Sequence, residues 1–329
     1  DNRVFIGSTG AVHGADLNLG NAIVMNDGGN TVVNQGLVEG QYRGIFFNDT
    51  GNTVENSGTV IGQQSAIYAA DSDLTITNSG LLTVANSSLH RDFEVTIRLQ
   101  GDSSVANSGD IIAYGNKAIS VEDGGSVIHN TGSIINHAAG GYAFYSAATS
   151  LGDSLYNSGR IVGDIMFGNA ASTFSMDAGS LDGDVQGGTG DDHVLLSGGA
   201  VRGSILMGGG ADRITLLGGS VRLADGDTAA VSGEAGDDTY VVEARGFRLL
   251  EADLGGTDTV RAGIDFTLGD YFENLLLTGD DDLVGKGNAL ANTLTGNGAD
   301  NSLFGRAGDD VLEGGYGADW LDGGTGLDT

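Results

Sequence analysis

The chain has 329 residues, 59 of them glycine, with neither proline nor cysteine and a formal net charge of −30. The lack of cysteine rules out disulfides and thiolate metal sites. The lack of proline, against an average of roughly one residue in twenty, argues against an ordinary globule. From Asp177 onward lie 28 of the 44 acids and 8 of the 14 bases, so this part of the chain repels nucleic acid and anionic membrane and attracts divalent cations. No apolar run is long enough to span a bilayer as a helix, and Asp1 opens no secretory signal. Stacked strands account for the composition, since a proline would delete a ladder donor whereas glycine serves the turns.

Residues 1–159 carry a recurring pattern: asparagine, a polar residue, glycine, any residue, then an aliphatic. It appears at Asn34, Asn56, Asn78, Asn107, Asn130 and Asn157, with Ser8-Thr9-Gly10 as a degenerate first copy. The intervals of 22, 22, 29, 23 and 27 residues fit the rungs of a three-sided, right-handed parallel β-helix with loops of varying size. An asparagine at one corner of every rung is expected to hydrogen-bond its neighbours above and below. The next glycine is expected to turn the corner, and Val60, Leu82, Ile111, Ile134 and Ile161 to point inward.

Across residues 160–241 the period tightens to 20, with Arg160–Gly179, Ser180–Gly199 and Ala200–Gly219 aligning without a gap. Here GGTGDDHVL and MGGGADRIT follow one plan, glycines at a turn, an acid, then an aliphatic, and GEAGDDTYV repeats it one longer rung later. Asp192, Asp212 and Asp238 are therefore predicted to stack, with Asp191 nearby, on turns made by Gly188, Gly190, Gly208, Gly210 and Gly236. Residues 242–286 read as a β-rich connector. Val260, Ala262, Ile264, Phe266 and Leu268 alternate with polar residues as in one strand, and Phe272 and Leu275 are core candidates.

Residues 287–329 are cut in nines: Gly287, Gly296, Gly305, Gly314 and Gly323 open the units, and Leu294, Leu303, Leu312 and Leu321 fall at the eighth position. Two units complete one coil, so acids from alternate units share a side. Asp310 is predicted to stack near Asp328, and Asn301 near Asp319, about one strand spacing of 4.8 Å apart. Two carboxylates at that distance repel by about 3 kcal/mol at an effective dielectric near 20. The stack calls for a cation, and calcium, which collects about six to eight oxygens, suits it. The last unit stops at its seventh residue, which implies a piece of a longer protein.

GGYGADWLD and GGTGLDT resemble the GGxGxDxUx calcium-binding nonapeptides of RTX proteins, and GNALANTLT with GNGADNSLF resembles the asparagine variants that open such rolls. The resemblance implies a parallel β-roll that is disordered without calcium and folds after export from a bacterium. The matching positions are Gly308, Asp310, Gly315, Gly317, Asp319, Gly326 and Asp328. Asn292 and Asn301 stand in acidic places, so weaker sites are expected there. GGTDTV and YFENLLLTG resemble segments joining RTX blocks, and the asparagine rungs loosely resemble autotransporter passenger repeats.

A β-helix joined to RTX modules is also the layout of mannuronan epimerases. Such an enzyme needs an acid/base group and a cation against the uronate carboxylate. The best cluster is His90, Arg91, Asp92 and Glu94, with His129 and His137 as further candidates; a solvated loop and rung-edge histidines are the alternative. Glycine runs such as GGGADRI lack the lysine of a phosphate loop, and Asp280–Asp282 lack the spacing of an EF-hand. Trp320, beside inward Leu321, should face outward to meet a glycan, a neighbouring subunit or a later segment of a longer chain.

The sequence thus reads as an all-β solenoid passing into an RTX β-roll with several calcium ions, from a secreted or cell-surface bacterial protein with a structural or adhesive role. Homo-oligomer or polymer formation and a cell-surface glycan are the expected partners, with nucleic acid excluded. The rival readings are a polysaccharide lyase or epimerase, and an export and folding module of a toxin or protease.

Overall fold

The computed structural model describes residues 2–14, 20–71, 73–85, 94–223, 226–227, 229–253 and 255–329. Among them every helix is absent and the strands stack in parallel, the arrangement of a β-solenoid. The chain forms two compact units, Asp1–Gln186 and Gly187–Thr329.

In the first unit each coil gives one strand to each of three sheets. The first sheet runs from Arg3–Ile6 through Thr31–Asn34, Thr53–Asn56, Thr75–Asn78, Ser104–Asn107, Val127–Asn130 and Ser154–Asn157 to Thr173–Met176. The second starts at Ala11–Gly14 and Leu37–Gly40, the third at Ile23–Met25 and Arg43–Phe47. Val32, Val54, Ile76, Val105, Ile128 and Leu155 lie register for register in the first sheet, all fully buried. Burying such a side chain contributes about 1.5–3 kcal/mol. Val60, Leu82, Ile111, Ile134 and Ile161 form the matching inward column of the second sheet.

The repeated asparagines form a buried amide ladder. Nδ2 of Asn34, Asn56, Asn78, Asn107 and Asn130 each donates to Oδ1 of the next asparagine at 2.7–2.8 Å, ending on Asn157. The glycine two residues on is there for a different reason from the one the pattern indicated. Gly58, Gly80, Gly109, Gly132 and Gly159 do not take positive φ; a Cβ on any of them would lie 2.1–2.2 Å from the carbonyl oxygen of the equivalent glycine one coil back. Coil-to-coil contact, not backbone handedness, keeps them side-chain free.

A second ladder, interrupted at Leu74, runs through the residues immediately before the first-sheet strands. The Asn30 amide donates to Asn52 Oδ1 at 2.9 Å, Ser103 to Ser126 Oγ at 3.3 Å, Ser126 to Asp153 Oδ1 at 2.8 Å and Asp153 to Ser172 Oγ at 3.2 Å. Short polar side chains there receive the amide that enters each strand.

In the second unit one sheet runs His193–Leu196, Arg213–Leu216, Thr239–Val242, Thr259–Ala262, Asn274–Leu277, Thr293–Thr295 and Val311–Glu313. The sheet of Ala200–Arg202 and Ser220–Arg222 goes no further in this unit, and Ile205–Gly208, Ala230–Ser232 and Arg248–Leu250 form another. A fourth, Phe266–Thr267, Val284–Lys286, Ser302–Ala307 and Trp320–Thr325, then faces the first as the coil shortens to 18 residues. The expected single strand over 260–268 is two strands in different sheets, separated at Gly263–Asp265. Thr259–Ala262 and Asn274–Leu277 continue the sheet of the preceding coils, with Phe272 and Leu275 buried. Leu294 and Leu303 are fully buried, but Leu312 is only half-buried and Leu321 is 47 % exposed, since no later strand covers them in this structure.

Replacing Asn78 by alanine should leave Asn56 Nδ2 with only its long bonds to the Gly58 and Leu81 carbonyls and strand the Asn107 Oδ1 acceptor, costing about 1–3 kcal/mol. Urea unfolding checks this against Asn48→Ala, an exposed position that should change stability by less than about 0.5 kcal/mol.

Candidate metal centre

In the second unit the corner before most strands of the first sheet becomes acidic, Asn292 being the exception. The Asp192 amide donates to Asp212 Oδ1 at 2.7 Å, Asp212 to Asp238 Oδ1 at 2.7 Å, Asp238 to Asp258 Oδ1 at 2.9 Å and Asp258 to Glu273 Oε2 at 2.9 Å. Further along, Asn292 donates to Asp310 Oδ1 at 2.8 Å and Asp310 to Asp328 Oδ1 at 3.1 Å, while Asn301 donates to Asp319 Oδ1 at 2.8 Å on the facing sheet. One carboxylate oxygen therefore does the work that asparagine or serine does in the first unit.

The other oxygen does not. Oδ2 of Asp212, Asp238, Asp258 and Asp310 is buried and meets no hydrogen-bond partner among the described residues. A buried ionised oxygen without a partner is costly. Burial accordingly pushes the Asp212 and Asp258 carboxyls up to about 7 and Asp238 to about 6, aided by the neighbouring carboxylates, and raises Asp310. Asn292 shows the contrast: its Nδ2 donates to the carbonyls of Phe272 and Glu273, so that corner needs no cation.

The acid before each corner reaches the opposite way. Asp191 Oδ1 accepts the Ala211 amide at 2.8 Å, Asp237 that of Thr257 at 2.8 Å, Asp300 that of Ala318 at 2.7 Å and Asp309 that of Leu327 at 2.8 Å. Paired acids thus stitch each coil to both neighbours. The turns between need glycine: Gly210 and Gly236 have φ of 119° and 135°, and a Cβ on Gly236 would lie 1.6 Å from the Gly210 carbonyl oxygen.

The densest point is Asp238, Glu251 and Asp258, three buried carboxyls whose ligand atoms lie within 4.8 Å of one another. Glu251 Oε1 receives the Gly233 amide at 3.2 Å and the hydroxyl of Tyr240, whose ring packs edge-on against Phe272. Burial raises the Glu251 carboxyl as well. An all-oxygen donor set with unspent carboxylate oxygens fits a hard divalent cation such as calcium and offers nothing to a metal that prefers nitrogen or sulfur.

Of the residues read from sequence, Asp192, Asp212 and Asp238 share one file, Asp310 joins Asp328, and Asn301 joins Asp319. Gly188 donates its amide to Asp192 Oδ2 at 3.1 Å, and Gly208, Gly308, Gly315, Gly317 and Gly326 take positive φ on the turns. Sequence reasoning missed Asp258, Glu251 and the forward-reaching Asp237, Asp300 and Asp309. The TDTV after Gly255-Gly256 matches the DDTYV after Gly236 and marks Asp258; nothing in the pattern marks Glu251. His90 and Arg91 lie outside the described residues. His129 stacks on Tyr156 and His137 on Tyr114, and Trp320 is 66 % exposed.

Fold and site together define a calcium-binding β-solenoid. Residues 295–329 match the family model of the RTX calcium-binding nonapeptide repeat, in four copies, so this stretch is an RTX repeat block. No curated protein and no solved structure matches the chain.

The raised carboxyls set the pH response. Without a cation the folded unit holds more protons than the unfolded chain between pH about 4 and about 7, so its stability is highest below that window and falls as pH rises through it. With calcium the trend reverses, because protons compete for the same oxygens. Thermal melts at about pH 5 and about pH 8 should fall with pH in chelator and rise with pH in calcium.

Proposed function

We propose that the protein is an extracellular structural or adhesive β-solenoid of a bacterium, a surface-layer, matrix or adhesin element whose second unit is completed by calcium after export. The observation that supports this most is the file through Asp212, Asp238 and Asp258, in which one oxygen of each carboxylate bridges two coils and the other is buried without a partner. Asp212, Asp238 and Asp258, with Glu251 beside them, would hold calcium on one side. Asp310 with Asp328, and Asn301 with Asp319, would do so in the RTX block. Bound calcium supplies the positive charge that lets these carboxylates stay ionised while buried. The residues do the rest: the glycine turns bring the acids of successive coils into line, and the Oδ1 acceptors fix the rung spacing.

This makes folding conditional on a cation, which suits a protein that must stay open until it leaves the cell. No helix among the described residues is long and apolar enough to cross a membrane. Head-to-tail assembly with another copy, through pairing of parallel strand edges, is part of the proposal.

Circular dichroism and light scattering of the chelated chain, titrated with calcium and separately with magnesium, test the reading. Calcium should produce a gain of strand signal and compaction, followed by particles larger than one chain, while magnesium should not. Compaction without growth would remove assembly from the proposal; no response to calcium would remove the proposal itself.

A further inference from the structure

The first unit carries a feature that the calcium reading does not use. On the outward side of its third sheet, Phe46, Tyr68, Arg98, Ser120 and Tyr145 occupy one register across five successive coils. The Arg43 guanidinium lies 3.8 Å from the Tyr68 ring centroid, 4.7 Å from that of Phe46 and 4.9 Å from that of Tyr42. Lys117 Nζ lies 3.3 Å from the Tyr145 ring centroid, with Tyr142 edge-on to that ring. Ser120 is buried, and the other side chains are half-buried, with part of each left to solvent.

The charges here are out of keeping with the rest of the chain. Acids outnumber bases 44 to 14, yet of the three cations in the stripe only Arg98 makes an ion pair, with Glu122 at 3.2 Å, a carboxylate whose field also reaches Lys117. Among the described residues Arg43 makes no ion pair and its one hydrogen bond is from Nε to Gln64 Oε1 at 3.4 Å; Lys117 makes neither. Two cations with unspent donors thus sit on aromatic platforms, three coils and so about 14 Å apart. Aromatic faces supply flat apolar area with little entropy cost, and guanidinium and ammonium groups recognise carboxylates.

We propose that this stripe is a binding site for a uronate-containing glycan, with sugar rings lying on Phe46, Tyr68 and Tyr145 and carboxylates meeting Arg43 and Lys117. Cation spacing decides against nucleic acid, which carries one charge per roughly 1.7 Å of duplex and would demand a denser row of bases. Burial lowers the Lys117 pKa, and a ligand carboxylate would reverse that penalty.

The test is calorimetric titration of the calcium-loaded chain with hyaluronan and alginate oligosaccharides, with chitin oligosaccharides as the neutral control and phosphatidylserine vesicles as a second anionic surface. At least one uronate probe should bind, and both Arg43→Gln with Lys117→Gln and Tyr68→Thr should weaken it by about tenfold or more. The thermal melt of each variant in chelator, where the strand signal comes from the first unit, reports whether it has folded. Tyr145→Thr, at the far end of the stripe, provides an independent aromatic probe if Tyr68→Thr fails that check. No binding of either uronate probe, binding that the folded variants leave unchanged, equal binding of the neutral probe, or tighter binding of the vesicles would each overturn the assignment.

Discussion

Every coil of a parallel solenoid must find an acceptor for the backbone amide that enters the next strand, because that amide is buried against the neighbouring coil. At most corners of this chain the acceptor is the side chain that precedes the equivalent strand one coil on; Leu74 and Asn292 interrupt the series. Asn52, Ser126, Asp153 and Ser172 fill the role in the first unit, and Asp212, Asp238, Asp258 and Asp310 in the second. The geometry of the bond barely changes between the units. The chemistry of the acceptor does.

An amide or hydroxyl at that corner can be satisfied by protein alone. A carboxylate brings a second oxygen that the packed backbone cannot serve, and stacking several at rung spacing adds mutual repulsion of about 3 kcal/mol per close pair. On the function proposed above, calcium at these corners would be a structural requirement rather than an ornament on a finished fold. The first unit has one carboxylate at such a corner, Asp153, which burial likewise raises; its other corners are amides and hydroxyls beside valine and isoleucine columns and the asparagine ladder.

Much of this was legible in the sequence because a solenoid writes its period directly into the chain. The asparagine spacing marked the amide ladder, and the eighth-position leucines marked the inward column as far as Leu303. Glycine was assigned to the right places but for an incomplete reason: at Gly58 and its equivalents the constraint is the carbonyl of the coil below, which a local pattern cannot express. Asp258 was readable only by aligning TDTV with DDTYV across an irregular loop. Glu251 was not readable at all, since it reaches the cluster from outside the repeat through Tyr240 and Gly233. The outward stripe was equally hidden: its rings and cations come from coils of unequal length and meet only through strand register.

The most direct measurement is amide hydrogen exchange at neutral pH, compared with and without calcium. The expected result is that the first-unit amides of Ser103 and Ser126 are protected in both conditions, whereas those of Asp192, Asp212 and Asp238 become protected only when calcium is present. Equal protection of the second set without calcium would contradict the claim that its acidic corners make folding depend on the cation.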